Sequence, residues 1–524
     1  MTRRGPGRRN LRPIATGAVA LVVLAGGVVA VRTITQNSTA AFASATPLLP
    51  KPTEIGLNLS GLETFNRQQV FTNLISQSVW FSDTGHGWTP MTDAQLDPAG
   101  WIRFLKPGEV APRPLVLPAA PLDQIAVRCT YSGVGMLSAG GIAHVRDQAK
   151  GSLDIDLVSE GGDEETAWIQ LDSTDPADPL RDLDCRDRSR PASERFHPEF
   201  LSFVKGFAAV RFLDWQLTNL NRRIPWPQRT QPGFSSQLGH DGVAVELMVD
   251  LANEADVDPW FLMPYNADDA YIAAFARYVH DHLEPGRTVY VELGNEVWND
   301  MFDATMQARR EGLAAKLAPP DDPVRAQTRR YAQKSRGALR IWTRVFADDP
   351  QRLVRVVSTL NVYPDLARMI LDFEDMPQWV DAVATAPYIH LDLAGRGLGD
   401  VDWVFAQLDR AIDETIGYAA QHRAIAASYG KRYITYEGGQ HLVAQDVELE
   451  RLLQRDPRME EVYLRYLGAW QSRIGDRLML YASTAPIGGS GAWGLREYAG
   501  QPPAEAPKLR AVEAFIAHLH QQAG

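Results

Sequence analysis

The chain has 524 residues, 45% hydrophobic and 22% charged, and its 53 basic against 64 acidic side chains leave a net charge of −11. That length can bury a large core, and the composition is that of an ordinary globular protein. The acidic balance excludes nucleic acid as the main partner, because phosphate recognition needs clustered Lys and Arg.

The N-terminal stretch reads as a separate unit. Arg3, Arg4, Arg8, Arg9 and Arg12 precede an uncharged run from Pro13 to Val31 built from Ala, Val, Leu, Ile and Gly. A charged start followed by an apolar run is the pattern of an export segment, taken here as residues 1–45. The run is long for a signal core and, at about 18 residues, just long enough to span a bilayer. Two readings therefore stand: an uncleaved anchor with membrane attachment through residues 13–31, or a signal cleaved after Ala41-Phe42-Ala43. Both leave the arginines inside and place the rest of the chain outside the cell or at its surface. The only cysteines are Cys129 and Cys185. Export permits a disulfide between them, with two buried free thiols as the alternative.

Glu54-Ile-Gly-Leu-Asn-Leu-Ser60 reads as a first strand. The character then changes over residues 80–190. Ile125–Tyr131, Ser152–Leu157 and Ala167–Leu171 alternate with period two between Gly and Pro clusters, the pattern of an antiparallel, sandwich-like β module inserted after the first strand. The acidic tract Asp172–Asp184 that follows reads either as solvated Asp-Pro turns or as a calcium site without EF-hand spacing.

From His197 onward helical and strand patterns alternate. Ala208–Leu213, Trp260–Tyr265, Val289–Leu293, Leu353–Thr359, Val380–Ala386, Tyr433–Tyr436 and Leu478–Ala482 complete a count of eight strands. Helical stripes cover Ala270–Leu283, Val404–Ile416 with Gly430 as a stop, Glu461–Ile474 and Lys508–Gln521. Eight strands alternating with helices predict a (β/α)8 TIM barrel spanning 54–79 and 191–524, with a doubly wound open sheet as the alternative. No Gly-x-Gly-x-x-Gly follows a strand and no P-loop occurs, so a nucleotide cofactor has no support.

Two strand ends carry candidate chemistry. Thr288-Val-Tyr-Val-Glu-Leu-Gly-Asn-Glu-Val-Trp-Asn299 is an apolar run that breaks at Gly294 into Asn295 and Glu296, and Arg432-Tyr-Ile-Thr-Tyr-Glu437-Gly-Gly-Gln-His441 repeats the design. In a parallel barrel such positions open on the substrate face. Structural alternatives are a helix N-terminal carboxylate for Glu296 and a turn for Glu437.

These motifs resemble the retaining glycoside hydrolases of the (β/α)8 superfamily called clan A. The resemblance covers about residues 54–65 and 195–524 and implies Glu296 as acid/base and Glu437 as nucleophile, with no metal or cofactor. It further implies a 2-hydroxyl contact for Asn295, a carboxylate-holding role for Arg211 and Tyr388, and sugar stacking for Trp493. Trp298 and His441 are further candidates for substrate binding, with Asn219, Tyr265, Asn266, His390, Asp392, Trp215 and Trp226 as softer ones near strand ends. Glu292, four positions before Glu296, reads as a buried supporting charge. Asn-Glu-Val-Trp departs from the Asn-Glu-Pro of several clan members, so the sugar stays open. The expected partner is a polysaccharide or oligosaccharide. The rival reading is a non-catalytic carbohydrate-binding or envelope scaffold protein on the same fold.

Overall fold

In a computed structural model, residues 52–64, 66–117, 124–159, 165–239, 241–488 and 491–523 are described. The expected export segment, 1–45, lies outside them. Eight parallel strands form one sheet: β1 (Glu54–Asn58), β2 (Ala209–Arg211), β3 (Asp258–Met263), β4 (Val289–Leu293), β5 (Leu353–Ser358), β6 (Ala382–Thr385), β7 (Arg432–Thr435) and β8 (Arg477–Leu480). The order runs β7-β6-β5-β4-β3-β2-β1-β8, so neighbours in sequence are neighbours in space and β8 returns to β1. The sheet rolls until its two ends meet. At that seam the Thr435 hydroxyl accepts from the Met479 N–H at 2.7 Å and the Tyr481 N–H donates to Gly438 O at 3.0 Å. The result is the predicted barrel.

Strand β4 shows why the sequence does this. All five residues are buried, with Val289, Val291 and Leu293 packed outward in the larger core beneath the helices. Tyr290 points inward, joining Trp260, Val354, Val356, Ile434 and Met479 in the cluster that fills the barrel. A strand buried on both faces needs an unbroken apolar run, which is what the sequence carries. Gly56 on β1 is one point where a side chain is forbidden. A Cβ there would lie 2.2 Å from the Met479 sulfur that fills the interior.

The helices follow the strands in turn. Asp268 and Asp322 cap Asp269–His282 and Pro323–Val345 by accepting from the third backbone N–H beyond them. The 28-residue helix Val401–Ser428 stops where expected: Gly430 adopts φ 68°, donates to Ala427 O, and Lys431 donates to Ala426 O.

Among the described residues between β1 and β2 there are three antiparallel sheets, the smallest pairing Phe81–Asp83 with Trp88–Pro90. Four strands run in the order Arg181–Asp187, Ile125–Ser132, Ser152–Leu157, Ala143–Ala149, and three in the order Ala111–Pro114, Ala167–Thr174, Gly135–Gly141. A second apolar core lies with them and includes the Cys129–Cys185 disulfide, which joins the paired strands Ile125–Ser132 and Arg181–Asp187. The acidic tract is turn at its centre and strand at its ends. Its first residues extend one strand, its last ones form another, and its carboxylates serve turns and arginines, as in Asp175 accepting from Ala177 N and Asp184 from Arg186. Buried Arg113 fastens the module to the barrel by donating to Ile75 O, Ser78 O and Ser235 O. Ser235 lies in the loop after β2, on the face where the barrel strands end.

Candidate active site

Arg211, the last residue of β2, is the hub. Its side chain is fully buried, and all five of its N–H donors are used. Nε and Nη2 donate to Glu292 Oε1 at 2.9 and 2.7 Å, and Nη1 donates to Asn58 Oδ1 at 3.0 Å and Glu437 Oε1 at 2.9 Å. Nη2 also reaches Asn295 Oδ1 at 2.8 Å. One guanidinium therefore gathers side chains from β1, β4 and the ends of β4 and β7. The Trp260 and Tyr436 rings lie 5.7 and 5.1 Å from its carbon, adding cation–π attraction in a water-poor setting.

The turn after β4 aims the two functional side chains. Gly294 has φ 67°, and Glu296 has φ 43°, a region that costs a residue with a Cβ about 1 kcal/mol or more. The turn is held by Asn299 N donating to Glu296 O at 2.7 Å and by Gln327 Nε2 donating to Val297 O at 3.0 Å. Glu296 itself is 2% exposed. Its Oε1 accepts from the Tyr436 hydroxyl at 2.8 Å and its Oε2 from Asn299 Nδ2 at 2.8 Å. The Asn299 amide can only be oriented this way, because its oxygen accepts from Met301 N.

Glu437 follows β7 and is also 2% exposed. Besides Arg211, the Tyr388 hydroxyl donates to its Oε2 at 2.9 Å. Tyr388 belongs to Tyr388–His390, which pairs with Gly439–His441 beyond the ends of β6 and β7. Trp493 completes this side, its ring 5.7 Å from Tyr388 and 4.7 Å from His441.

Burial raises Glu296 and Glu437 above the ordinary carboxylate range, and in Glu437 the neighbouring Glu296 charge adds to the rise. Two buried carboxylates in such a mouth share a proton into the neutral range. Hydrogen bonding decides where the proton sits. Glu437 has a guanidinium and a phenol as donors, whereas Glu296 has only neutral partners, and the Tyr436 hydroxyl can accept as readily as donate. These donors favour the charge on Glu437 and the proton on Glu296. Glu292, fully buried, accepts from Arg211 and from Trp260 Nε1 at 3.0 Å, in keeping with a supporting charge.

The mouth thus brings together Glu296, Glu437, Asn295, Arg211, Tyr388, Trp493 and His441. Asn219 adjoins them, accepting from Asn295 Nδ2 at 3.1 Å. Trp298 is half-buried and packs against the barrel-filling cluster. Other softer candidates go elsewhere. Trp215 is core, 1% exposed among Phe71, Phe200 and Phe212, and Trp226 packs on Tyr271 and Phe275 with Arg229 over its ring. Tyr265 and Asn266 bond into a side network with Glu311 and Gln307. Asp392 accepts from Ala394 N. His390 instead borders the mouth, facing His441 with the ring nitrogens 3.4 Å apart. Sequence reasoning missed Asn58, Asn299 and Tyr436. Asn58 had a signal, being a lone amide at the end of an apolar strand.

Fold and mouth together define a (β/α)8 barrel with two buried carboxylates at the ends of β4 and β7. No protein-family profile and no curated protein sequence matches the chain. Among solved structures, the chain is similar to a monomeric β-xylosidase from Caulobacter crescentus, with 12% identity, 61% of this chain and 65% of that one covered, and a TM-score of 0.38. The same four values describe the likeness to a 4-O-α-L-rhamnosyl-β-D-glucuronidase from Fusarium oxysporum. A family 1 β-glucosidase from Thermotoga maritima shows 11% identity, coverage of 60% and 85%, and a TM-score of 0.33. The chain spans just under two thirds of the length of the first two.

Proposed function

We propose that the protein is a retaining glycoside hydrolase that cleaves O-glycosidic bonds of a polysaccharide by double displacement. One observation carries the reading: two buried carboxylates at the ends of β4 and β7 have unlike donors, a guanidinium and a phenol on Glu437, and an amide and a phenol on Glu296. Glycosidic cleavage needs this asymmetry. Glu296 gives its proton to the leaving oxygen while Glu437 attacks the anomeric carbon, forming a covalent ester. Glu296, now a carboxylate, takes a proton from water. That water opens the ester and returns Glu437 to its charged form. Trp493 offers an aromatic face for the apolar side of a sugar ring. Two carboxylates and water suffice for every step. The arginine-rich start and the apolar run 13–31 support a location outside the cytoplasm, secreted or anchored.

The test is intact mass after exposure to a panel of 2-deoxy-2-fluoro glycosyl fluorides, alongside Glu437→Gln. A single glycosyl adduct mapped to Glu437 and absent from the variant is the expected result, and it identifies the glycone. Turnover of polysaccharide that persists unchanged in both Glu296→Ala and Glu437→Ala would overturn the proposal.

A further inference from the structure

Lys508 is a buried amine that the reaction above does not use. It stands at the start of the last helix, Pro507–Ala523, and is 5% exposed. Its hydrogen bond goes to a backbone carbonyl, Ala492 O, at 2.7 Å. Gln440 Nε2 donates to the same oxygen at 2.8 Å, and the orientation of that amide is fixed because its Oε1 accepts from Leu442 N. Gln440 lies three residues beyond Glu437. One residue past Ala492, Trp493 O accepts from Ala482 N at 3.0 Å, and Leu495 N donates to Ala482 O at 2.8 Å.

The backbone around Trp493 is therefore gripped from three directions: from β8 through Ala482, from the strand after β7 through Gln440, and from the last helix through Lys508. The ring it carries touches Tyr388 and His441, and Tyr388 in turn holds Glu437. Burying an amine is unfavourable compared with filling the same space with an apolar chain, and burial pushes this one down to about 7 against the pull of Glu497 and Glu450. What it adds, protonated or not, is an N–H donor to one carbonyl.

We infer that Lys508 is a positioning residue: its side-chain nitrogen holds the Ala492 carbonyl and thereby sets the Trp493 ring in the mouth beside Tyr388 and Glu437. Its kinetic consequence rests on the glycosidase reading, whereas its structural consequence stands without it. The experiment compares wild type, Lys508→Met, Lys508→Gln, Trp493→Ala and the double variant Lys508→Met/Trp493→Ala. Steady-state kinetics are measured on an aryl glycoside, and native-state hydrogen exchange at the Ala482 and Leu495 amides.

Lys508→Met should raise KM about tenfold while kcat stays within about threefold, the signature of lost binding rather than lost chemistry. In the Trp493→Ala background the same change should add less than about twofold, because the two residues act as one unit. Lys508→Gln, which keeps a donor, should recover most of the loss. Exchange at Ala482 and Leu495 should quicken about tenfold or more in Lys508→Met, with the β4 amides unchanged. Unaltered exchange at those two amides, or a KM effect of equal size with and without Trp493, overturns the inference. Should the wild type cleave no glycoside, the functional reading fails and the exchange data alone decide this one.

Discussion

Arg211→Met tests the arrangement most severely. The substitution keeps an unbranched apolar stem and removes five hydrogen bonds to four residues, leaving Glu292 and Glu437 buried without their cation. Breaking a buried pair by deleting one partner costs about 3–5 kcal/mol, because the remaining charge is uncompensated. At about 1–2 °C per kcal/mol for a chain of this size, the thermal midpoint falls by roughly 3–10 °C. The deficit must also depend on pH. Arg211 pulls both carboxyls downward against burial, so its loss raises their folded values further above the unfolded value of 4.5. A carboxyl raised in the folded state holds a proton that the unfolded chain releases, so stability falls as pH rises above 4.5, by about 1.4 kcal/mol per pH unit and group. Wild type shares that fall up to its own folded values, about 8 for Glu437, so the deficit widens above them and at pH 9 should exceed that at pH 6. Glu292→Gln added to Arg211→Met should restore part of the midpoint by removing one stranded charge. Melting curves of the three proteins at both pH values provide the measurement. Equal deficits at pH 6 and pH 9, or a double variant less stable than the single, would refute the hub reasoning.

Three further outcomes follow from the same geometry. Glu296→Gln should lower kcat about 10²–10⁴-fold on natural glycosides and much less on aryl glycosides with acidic leaving groups, since only the former need a proton donor; a uniform loss in steady-state assays would count against Glu296 as the acid. Tyr388→Phe and Tyr436→Phe remove donors that lower Glu437 and Glu296 respectively. The first should move the acid limb of the kcat/KM profile to higher pH and the second the basic limb, and exchanged limbs would mean exchanged roles. Cys129→Ser opens a loop closed across a separation of 56 residues and should destabilise the inserted module by about 4 kcal/mol, read as an earlier transition in calorimetry with glycosidase activity kept below it.

The barrel was legible because its strands are buried on both faces. Val289-Tyr-Val-Glu-Leu293 carries its own signal, and the Gly294 break marks where the strand opens on the mouth. Within the inserted module the signal was diluted. Gly135–Gly141 contains three glycines and pairs with Ala167–Thr174, so its place in the sheet is set by its partner rather than by its own side chains. In Arg181–Asp187 the buried Leu183 and Cys185 alternate with Asp and Arg, and the count of acidic residues hides the period of two. The site divided similarly. Glu296 and Glu437 stand where strands end, a position the pattern reveals. Tyr436 was hidden because an aromatic residue in a strand reads as core, and only the rolled sheet shows its hydroxyl reaching Glu296 across 140 positions. Asn299 depends on a left-handed turn that Glu296 itself makes, which no local preference of Glu predicts.

Arg211 also explains how one mouth can serve both halves of the proposed reaction. On the proposed reading, Glu292 and Glu437 are both charged before reaction and face one guanidinium, leaving one buried negative charge. Ionising Glu296 as well would add a second without a cation to meet it, so Glu296 keeps its proton and can act as an acid. When Glu437 becomes an ester, that negative charge disappears. Glu292 and Arg211 then balance, and the carboxylate that Glu296 has become is no longer opposed by a neighbour of like charge. Its proton affinity drops from that of an acid poised to donate to that of a base able to take a proton from water and be restored when Glu437 is released. The fixed geometry supplies the switch: Glu292 holds Arg211 by two hydrogen bonds and Trp260 holds Glu292 by a third, so the guanidinium stays in place while the charge on Glu437 comes and goes.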